Sequence, residues 1–447
     1  MSKTIAVIGS GYVGVTTAAI AASAGYKVHL IDVSKERISV LQSGKSFFYE
    51  EGIDALINKA ISDGTLLPST SYEPGIAESS VVFSCVGTPD NPDGSSNLEY
   101  IFAAAKTASP LLAENTIYVQ KSTVPVGTGS QVSKLLPKSI RYVSNPEFLR
   151  EGTAVGDTLY FDRIVAGGGN KESVEAVLNI YRDIESVQNN IAVLAGIREQ
   201  TNSGQYIATN LESAELIKVT ANAFLALKIS FANSIAKLAD ESGADVVDVM
   251  DAVGADKRIG RAFLNAGRGY GGGCFPKDVS GLIASASDHG VDMPIMVAAT
   301  EVNESMPGYI AEIAREALGT LQNKKVAVLG LAFKAGTSDA RRSPGAKLAN
   351  ILDSSGAIVL AYDPHANEEA TEEVRRGVTI VDSMLQAVKD SDIVFIATEW
   401  QEFKVIDFGK VASEMSGNIL FDAMNMLDSS LVEQSGLQYI GVGRGIK

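Results

Sequence analysis

The sequence predicts an α/β protein in which two doubly wound, Rossmann-like sheets are joined by a long central helix. Three observations carry this expectation. Short apolar runs bounded by Gly, Pro and Asp alternate with helix-length segments over about the first 195 residues, the pattern of an open, mostly parallel sheet. From Leu211 to about Glu241 the chain contains neither Gly nor Pro and reads as one helix, far longer than the usual ~11 residues. After Lys325 the strand, turn, helix, strand order of the opening returns in altered sequence, which implies a second sheet. The 447 residues then divide into expected domains at 1–200, 201–320 and 321–447, each of ordinary domain size.

Each element follows from local chemistry. Thr4–Ile8 is a buried-strand run, Gly9-Ser10-Gly11-Tyr12-Val13-Gly14 breaks it, an Ala-rich helix extends to Ala24, Gly25 stops it, and Lys27–Ile31 forms a second strand ending at Asp32. Further strands are expected at Val81–Val86, Thr116–Val119 and Arg141–Val143. The long helix is a spine between domains. A helix near Val246–Val253 leads into a glycine-dense loop, Gly267–Gly273, and helices fill roughly 278–320. In the last third, Lys325–Leu329 is a strand, Gly330-Leu331 the turn, Pro344 a helix start, Gly356 its stop, and Ala357–Ala361 the next strand, ending at Tyr362-Asp363. Runs at Val378–Val381, Ile393–Ala397, Asn418–Phe421 and Gln438–Val442 complete the second sheet.

Composition bounds the partners. A hydrophobic fraction of 45% is that of a globular protein. No run of eighteen apolar residues and no basic, apolar leader occurs, so neither a membrane partner nor a secretory signal is expected. With only two cysteines, Cys85 and Cys274, a reducing cytoplasm is the expected setting. A net charge of −15 repels a phosphate backbone, so nucleic acid is not an expected partner, and any anionic ligand must meet a local basic cluster. His29, His289 and His365 show no ligand spacing, so no metal centre is expected.

Gly9, Gly11 and Gly14 fit the spacing GxGxxG between a strand and a helix, and Asp32 follows at the end of the second strand. In that context the glycines allow a tight turn, close approach of a pyrophosphate and close helix packing, and an acidic side chain at Asp32 favours NAD over NADP. Cys85 lies inside an apolar strand and reads as core. Cys274 follows Gly271-Gly272-Gly273, which would let a ligand come close, and precedes Phe275-Pro276-Lys277-Asp278. Its sulfur is expected near the positive end of a new helix with Lys277 adjacent, both favouring thiolate. A nucleophilic thiol beside NAD suggests aldehyde oxidation through a thiohemiacetal and a thioester. Lys218 and Asn222, four apart on the spine, share a face among apolar neighbours, where they either face a site or snorkel from a core helix. Glu147 and Glu151 form another pair four apart.

These motifs match a family. Gly9-Ser10-Gly11-Tyr12-Val13-Gly14, Lys121-Ser122-Thr123-Val124-Pro125-Val126-Gly127, Asn145-Pro146-Glu147-Phe148, the Lys218 helix, the Gly271–Asp278 run and Leu331-Ala332-Phe333-Lys334 resemble, in family order, the UDP-glucose 6-dehydrogenases. The Cys-Phe-Pro-Lys-Asp run favours that branch over UDP-N-acetylmannosamine dehydrogenases. GDP-mannose dehydrogenases share Cys-x-Pro-Lys-Asp and are the alternative. More distant alternatives are a two-electron hydroxy-acid dehydrogenase and an NAD-sensing binding protein.

The resemblance implies that the first domain binds NAD, the last binds the UDP part of UDP-glucose, and the spine carries the interface of a homodimer or higher oligomer. By position, Cys274 is the nucleophile, Lys218 and Asn222 stabilise an oxyanion, Asp278 handles protons and water, and Thr123 and Glu147 position or activate water. Gly9, Gly11, Tyr12, Val13, Gly14, Asp32, Thr88, Thr123, Glu151, Lys277 and Arg341 are implied at the cofactor. Glu147, Phe148, Leu149, Lys218, Asn222, Gly267, Tyr270, Gly271, Phe333 and Lys334 are implied at the substrate, with Arg258 reaching the neighbouring subunit's pocket. Lys218, Lys277, Lys334, Arg258 and Arg341 would supply positive charge for two diphosphates. Three departures stand out. Many members carry Asp-Gly-Arg-Asn where this chain has Asp422-Ala423-Met424-Asn425, Gly273 replaces a frequent Ser, and Glu51 replaces a usual Pro.

Overall fold

The computed structural model describes residues 3–200 and 204–445; the expected start of the middle domain, residues 201–203, lies outside the described residues. Contacts divide the chain into two compact units, residues 1–221 with 280–289 and residues 222–279 with 290–447.

The first unit is built on eight strands: β1 (Thr4–Ile8), β2 (Lys27–Ile31), β3 (Leu66–Ser69), β4 (Val81–Ser84), β5 (Ile117–Gln120), β6 (Arg141–Ser144), β7 (Arg163–Gly167) and β8 (Gln205–Thr209). They lie in the order 3-2-1-4-5-6-7-8. Ile5 sits opposite Val28 on one side and Val81 on the other, and every neighbouring pair is parallel except β6 with β7. Both faces are covered, which is why the central strands are continuous apolar runs. Ile5 and Val7 pack with Val15, Ala18 and Ala19 of the helix Tyr12–Ser23, while Ala6 and Ile8 pack with Ile101, Ala104 and Ala105 of the helix Glu99–Ala108. The Ala-rich helix is buried around almost its whole circumference, and small side chains let its neighbours close on it.

The sheet runs on past residue 195, to Thr209, and three of its strands escape the sequence reading. Pro68 inside β3 is tolerated because β3 is an edge strand. Edge strand β8 is polar and incompletely buried, so it lacks the apolar signature of the interior.

The spine is the helix Leu211–Ser242, 32 residues long, and it contributes to both units. Among the described residues it is the helix long and apolar enough to cross a membrane by length and composition. Its buried Glu215, Asn222, Asn233 and Asp240, each bonded to protein groups, mark it as a core helix.

The second unit holds the remainder of the spine, the helix Val246–Gly254, the helix Pro294–Leu318, and a six-stranded parallel sheet. Its strands are β9 (Lys325–Leu329), β10 (Ile358–Tyr362), β11 (Thr379–Ile380), β12 (Ile393–Ile396), β13 (Ile419–Asp422) and β14 (Gln438–Gly441), in the order 11-10-9-12-13-14. The helix after β9 starts at Pro344, with Ser343 capping the N–H groups of Gly345 and Ala346, and ends at Ser354 just before Gly356.

Candidate active site

In the first unit the implied residues gather where open α/β sheets bind ligands, at the carboxyl ends of the strands beside the point where strand order reverses, here between β1 and β4. Gly9–Gly14 follow β1, Asp32 follows β2, Thr88 follows β4, Thr123 follows β5, and Glu147–Leu149 follow β6. A separate cavity, lined by Lys3, Tyr26, Lys171 and Asp183 among others, opens at the opposite, amino ends of β1 and β4.

The glycine loop fits a dinucleotide. Gly9 has φ +98°, and a Cβ on Gly14 would stand 1.9 Å from the Gly9 carbonyl oxygen, whereas a Cβ on Gly11 would meet nothing within 4 Å. Gly11 is the N-cap of the helix Tyr12–Ser23 and no side chain caps that end. Open space above uncapped N–H groups is the shape and polarity a pyrophosphate needs. Tyr12 and Val13, in the first turn, are half-buried. The Asp32 carboxylate accepts from the Ser10 N–H at 2.6 Å, the Ser10 hydroxyl at 2.7 Å and the Ser34 N–H at 2.8 Å. It therefore braces the glycine loop as well as offering its remaining acceptor capacity to a ribose.

Glu147 and Lys218 are both buried and form an ion pair at 3.1 Å, so Lys218 faces a polar site rather than snorkelling to solvent. Glu147 also accepts the Leu149 N–H, and the Lys218 ammonium lies 5.5 Å from the Phe148 ring centroid. One turn earlier, Glu215 receives the N–H groups of Gly127 and Gly129, each at 2.8 Å, anchoring the loop that carries Thr123. Glu151, half-buried, precedes Gly152, whose N–H bonds to the Tyr12 hydroxyl. Buried Glu50 accepts from Tyr12 and, at 3.0 Å, from the Val155 N–H. Burial pushes the Glu50 carboxyl up to about 7.

In the second unit Cys274 is exposed and Cys85, in the first, is buried; neither is in a disulfide. Burial pushes the Cys85 thiol up to about 12, which makes it inert. Cys274 immediately precedes the helix Phe275–Asp288, and its carbonyl accepts the Asp278 N–H, so it sits at the positive end of the macrodipole. Asp278, buried, accepts from Asn222 at 2.6 Å and from Lys277 at 2.7 Å.

The glycines before Cys274 admit protein segments: a Cβ on Gly271 would meet the Arg342 carbonyl at 2.2 Å, on Gly272 the Phe333 ring at 2.7 Å, and on Gly273 the Arg341 guanidinium at 2.8 Å. A Ser at 273 would crowd Arg341. The Gly267 N–H is taken by Asn233, and a Cβ on Gly267 would stand 2.5 Å from the Ala423 carbonyl. Tyr270 is buried with its N–H and carbonyl both held by Asn303.

Most of the cations implied at the diphosphates sit against carboxylates. Lys218 pairs with Glu147, Lys277 with Asp278, Arg341 with Asp339 and Arg258 with Asp256. The Arg258 side chain is 88% exposed. Half-buried Lys334 lies with its ammonium 5.7 Å from the Phe333 ring centroid. The sequence reading missed Ser10, Glu50 and Glu215. Only the Tyr-Glu pairing of Phe48–Glu50 with the glycine loop had any local sign, an acidic residue in an aromatic segment.

Comparison with known proteins places these features. Residues 3–185, 212–305 and 327–429 match, in turn, the NAD binding domain, central domain and UDP binding domain of the UDP-glucose/GDP-mannose dehydrogenase family. The UDP-glucose 6-dehydrogenase YwqF of Bacillus subtilis is 37% identical over 98% of this chain and 97% of its own length. The UDP-glucose 6-dehydrogenase of Rhizobium meliloti is 36% identical over 98% and 99%. A solved UDP-glucose dehydrogenase from Pyrobaculum islandicum superposes with a TM-score of 0.87 at 35% identity, covering 98% of this chain and 97% of that one. A UDP-D-ManNAc dehydrogenase from Pyrococcus horikoshii follows at 0.85 and 29%, covering 99% of each chain. Agreement of this extent, domain by domain and over nearly the whole chain, means that the chain belongs to the UDP-glucose/GDP-mannose dehydrogenase family.

Proposed function

We propose that this protein oxidises UDP-glucose at C6 to UDP-glucuronate, in a cytoplasmic setting and as a homodimer, with residues 1–200 holding NAD, 201–320 forming the dimerising middle and 321–447 holding the UDP moiety. The observation that supports it best is an exposed thiol at a helix N-terminus, Cys274, in a chain whose glycine loop fits a dinucleotide.

NAD, when bound by Gly9–Gly14, Asp32 and the loops after β4 and β5, takes up two electrons in each of two oxidations. The remaining chemistry belongs to the chain. After the alcohol becomes an aldehyde, the Cys274 sulfur bonds to the carbonyl carbon and the oxygen gains a proton. Oxidation of that thiohemiacetal leaves a thioester, and water cleaves it, returning the thiol and releasing the carboxylate. Lys218 and Asn222 are assigned to the oxyanion, since both present N–H donors from one helix face. Glu147 and Thr123 are assigned to water, and Asp278 to the proton traffic around Asn222 and Lys277. Counting product decides the matter: two NADH per UDP-glucose consumed is expected. A yield of one NADH would overturn the four-electron reading, and faster turnover of GDP-mannose would move the protein to the sibling branch.

A further inference from the structure

Arg268 lies in the loop before Cys274 and is 1% exposed, the largest of the fully buried side chains. Its Nη2 donates to the carbonyls of Phe333 at 2.8 Å and Ala332 at 3.2 Å and to the Thr398 hydroxyl at 3.2 Å, and Nη1 reaches the Ser343 hydroxyl at 3.4 Å. Nε points at the Met424 sulfur, 3.2 Å away. Among the described residues, Lys218, Lys277, Arg258 and Arg341 each sit against a carboxylate, whereas Arg268 bonds only to neutral acceptors. Glu399 and Asp363 act on it from beyond hydrogen-bond reach, and burial lowers the guanidinium to about 10.

A buried cation without a carboxylate partner is costly and needs a reason. The groups it holds supply one. Ala332 and Phe333 belong to Leu331–Lys334, within the region that matches the UDP binding domain. The Arg268 N–H also bonds to the Ala423 carbonyl at 2.9 Å, so the backbone registers this loop on the segment that ends at Met424. Side chains 268 and 424 thus meet, the Arg268 Nε against the Met424 sulfur, so a guanidinium brought from position 424 would reach the same place.

We propose that Arg268 is a positioning residue for the sugar nucleotide. Its guanidinium fixes the carbonyls of Ala332 and Phe333 and so sets the Leu331–Lys334 loop for the anionic nucleotide. The proposal rests on the reading of residues 321–447 as the UDP-binding part, which UDP binding by the parent protein tests separately.

The experiment measures binding of UDP and of NAD, by calorimetry, to the parent, Arg268→Met, Arg268→Lys and the exchange variant Arg268→Met with Met424→Arg. Arg268→Met should weaken UDP about tenfold or more while NAD stays within about twofold, because a neutral side chain cannot hold both carbonyls. Arg268→Lys should be weakened at least about threefold, since an ammonium lacks the planar fork. The exchange variant should recover most of the loss. UDP affinity within about twofold of the parent in Arg268→Met, or an exchange variant no better than that single change, overturns the proposal. Should Arg268→Met lose NAD binding too, and so prove misfolded, unchanged UDP affinity in Arg268→Lys overturns it instead.

Discussion

Cys274 and Cys85 are the same residue in opposite environments, and the contrast makes a matched test. Cys274 is exposed at the start of a helix, while Cys85 is buried with its thiol pushed up to about 12. Cys274→Ser keeps the shape but offers a poorer nucleophile and a much poorer leaving group. Turnover should fall by about a thousandfold or more while NAD and UDP-glucose still bind; steady-state rates unchanged from the parent would refute the covalent route. Cys85→Ser should leave turnover near normal and lower thermal stability, because it places a hydroxyl in the apolar core just after β4. Glu50 supports a second test at this scale. Its carboxyl is raised from an ordinary value near 4.5 to about 7 by burial, with Asp157 adding to the effect. The folded state therefore binds more protons than the unfolded state between those values, and stability falls as pH rises through that window. The full effect is about 3 kcal/mol as an upper bound. Glu50→Gln, which mimics the neutral acid, should be more stable than the parent at pH 8 and show a flatter decline from pH 5 to 7.5 in denaturant titrations. Glu215, also raised to about 7, keeps part of the slope in place. Identical pH profiles for parent and variant would show that Glu50 ionises normally.

At the scale of elements, the glycine loop separates packing from ligand space. Gly14→Ala drives a methyl into the Gly9 carbonyl, whereas Gly11→Ala places one where nothing lies within 4 Å. Gly14→Ala should therefore lower the melting temperature and NAD affinity together. Gly11→Ala should melt like the parent yet bind NAD about tenfold or more weakly, because its methyl occupies the approach to the pyrophosphate; undiminished NAD binding there would remove the loop from the cofactor site. The same division explains what the sequence disclosed. Elements set by local rules were legible: the GxGxxG turn, the spine at Leu211–Ser242, the helix opened by Pro344 and closed before Gly356. Edge strands β3 and β8 were not, since edges relax the apolar requirement. Nor were partners distant in sequence, such as Ser10 with Asp32 or Glu50 with Tyr12. Asp32 and Asp363 show the limit well. Both end the second strand of their sheet, yet Asp363 spends its oxygens on Leu331, Ala332, His365, Ala366 and Trp400. It is 1% exposed and can serve only the fold, while half-buried Asp32 keeps acceptor capacity for a ligand. No local pattern distinguishes the two.

Over the whole molecule, an acidic chain of net charge −15 must hold two anionic ligands, and most of its site cations already have carboxylate partners. Arg258 is the extreme case, 88% exposed and paired only with Asp256 two residues away. The role implied for it by the family resemblance is in a second copy. The spine offers that copy a surface: Phe224, Phe231 and Leu238 are 59%, 49% and 63% exposed at seven-residue intervals, which aligns them along one helix face. If Arg258 completes the partner's pocket, Arg258→Ala and Cys274→Ser are each inactive alone but complement when subunits exchange. A mixed dimer then contains one pocket lacking both groups and one pocket with both. Random exchange of equal amounts should restore roughly a quarter of parental activity, because half the dimers are mixed and each has one competent pocket. Exchange is verified independently with differently tagged subunits. Activity that stays at the level of the separate variants despite proven exchange would confine Arg258 to its own chain. Replacing Phe231 with Glu provides the complementary control, since it should block both association and complementation by burying a charge in the apolar stripe.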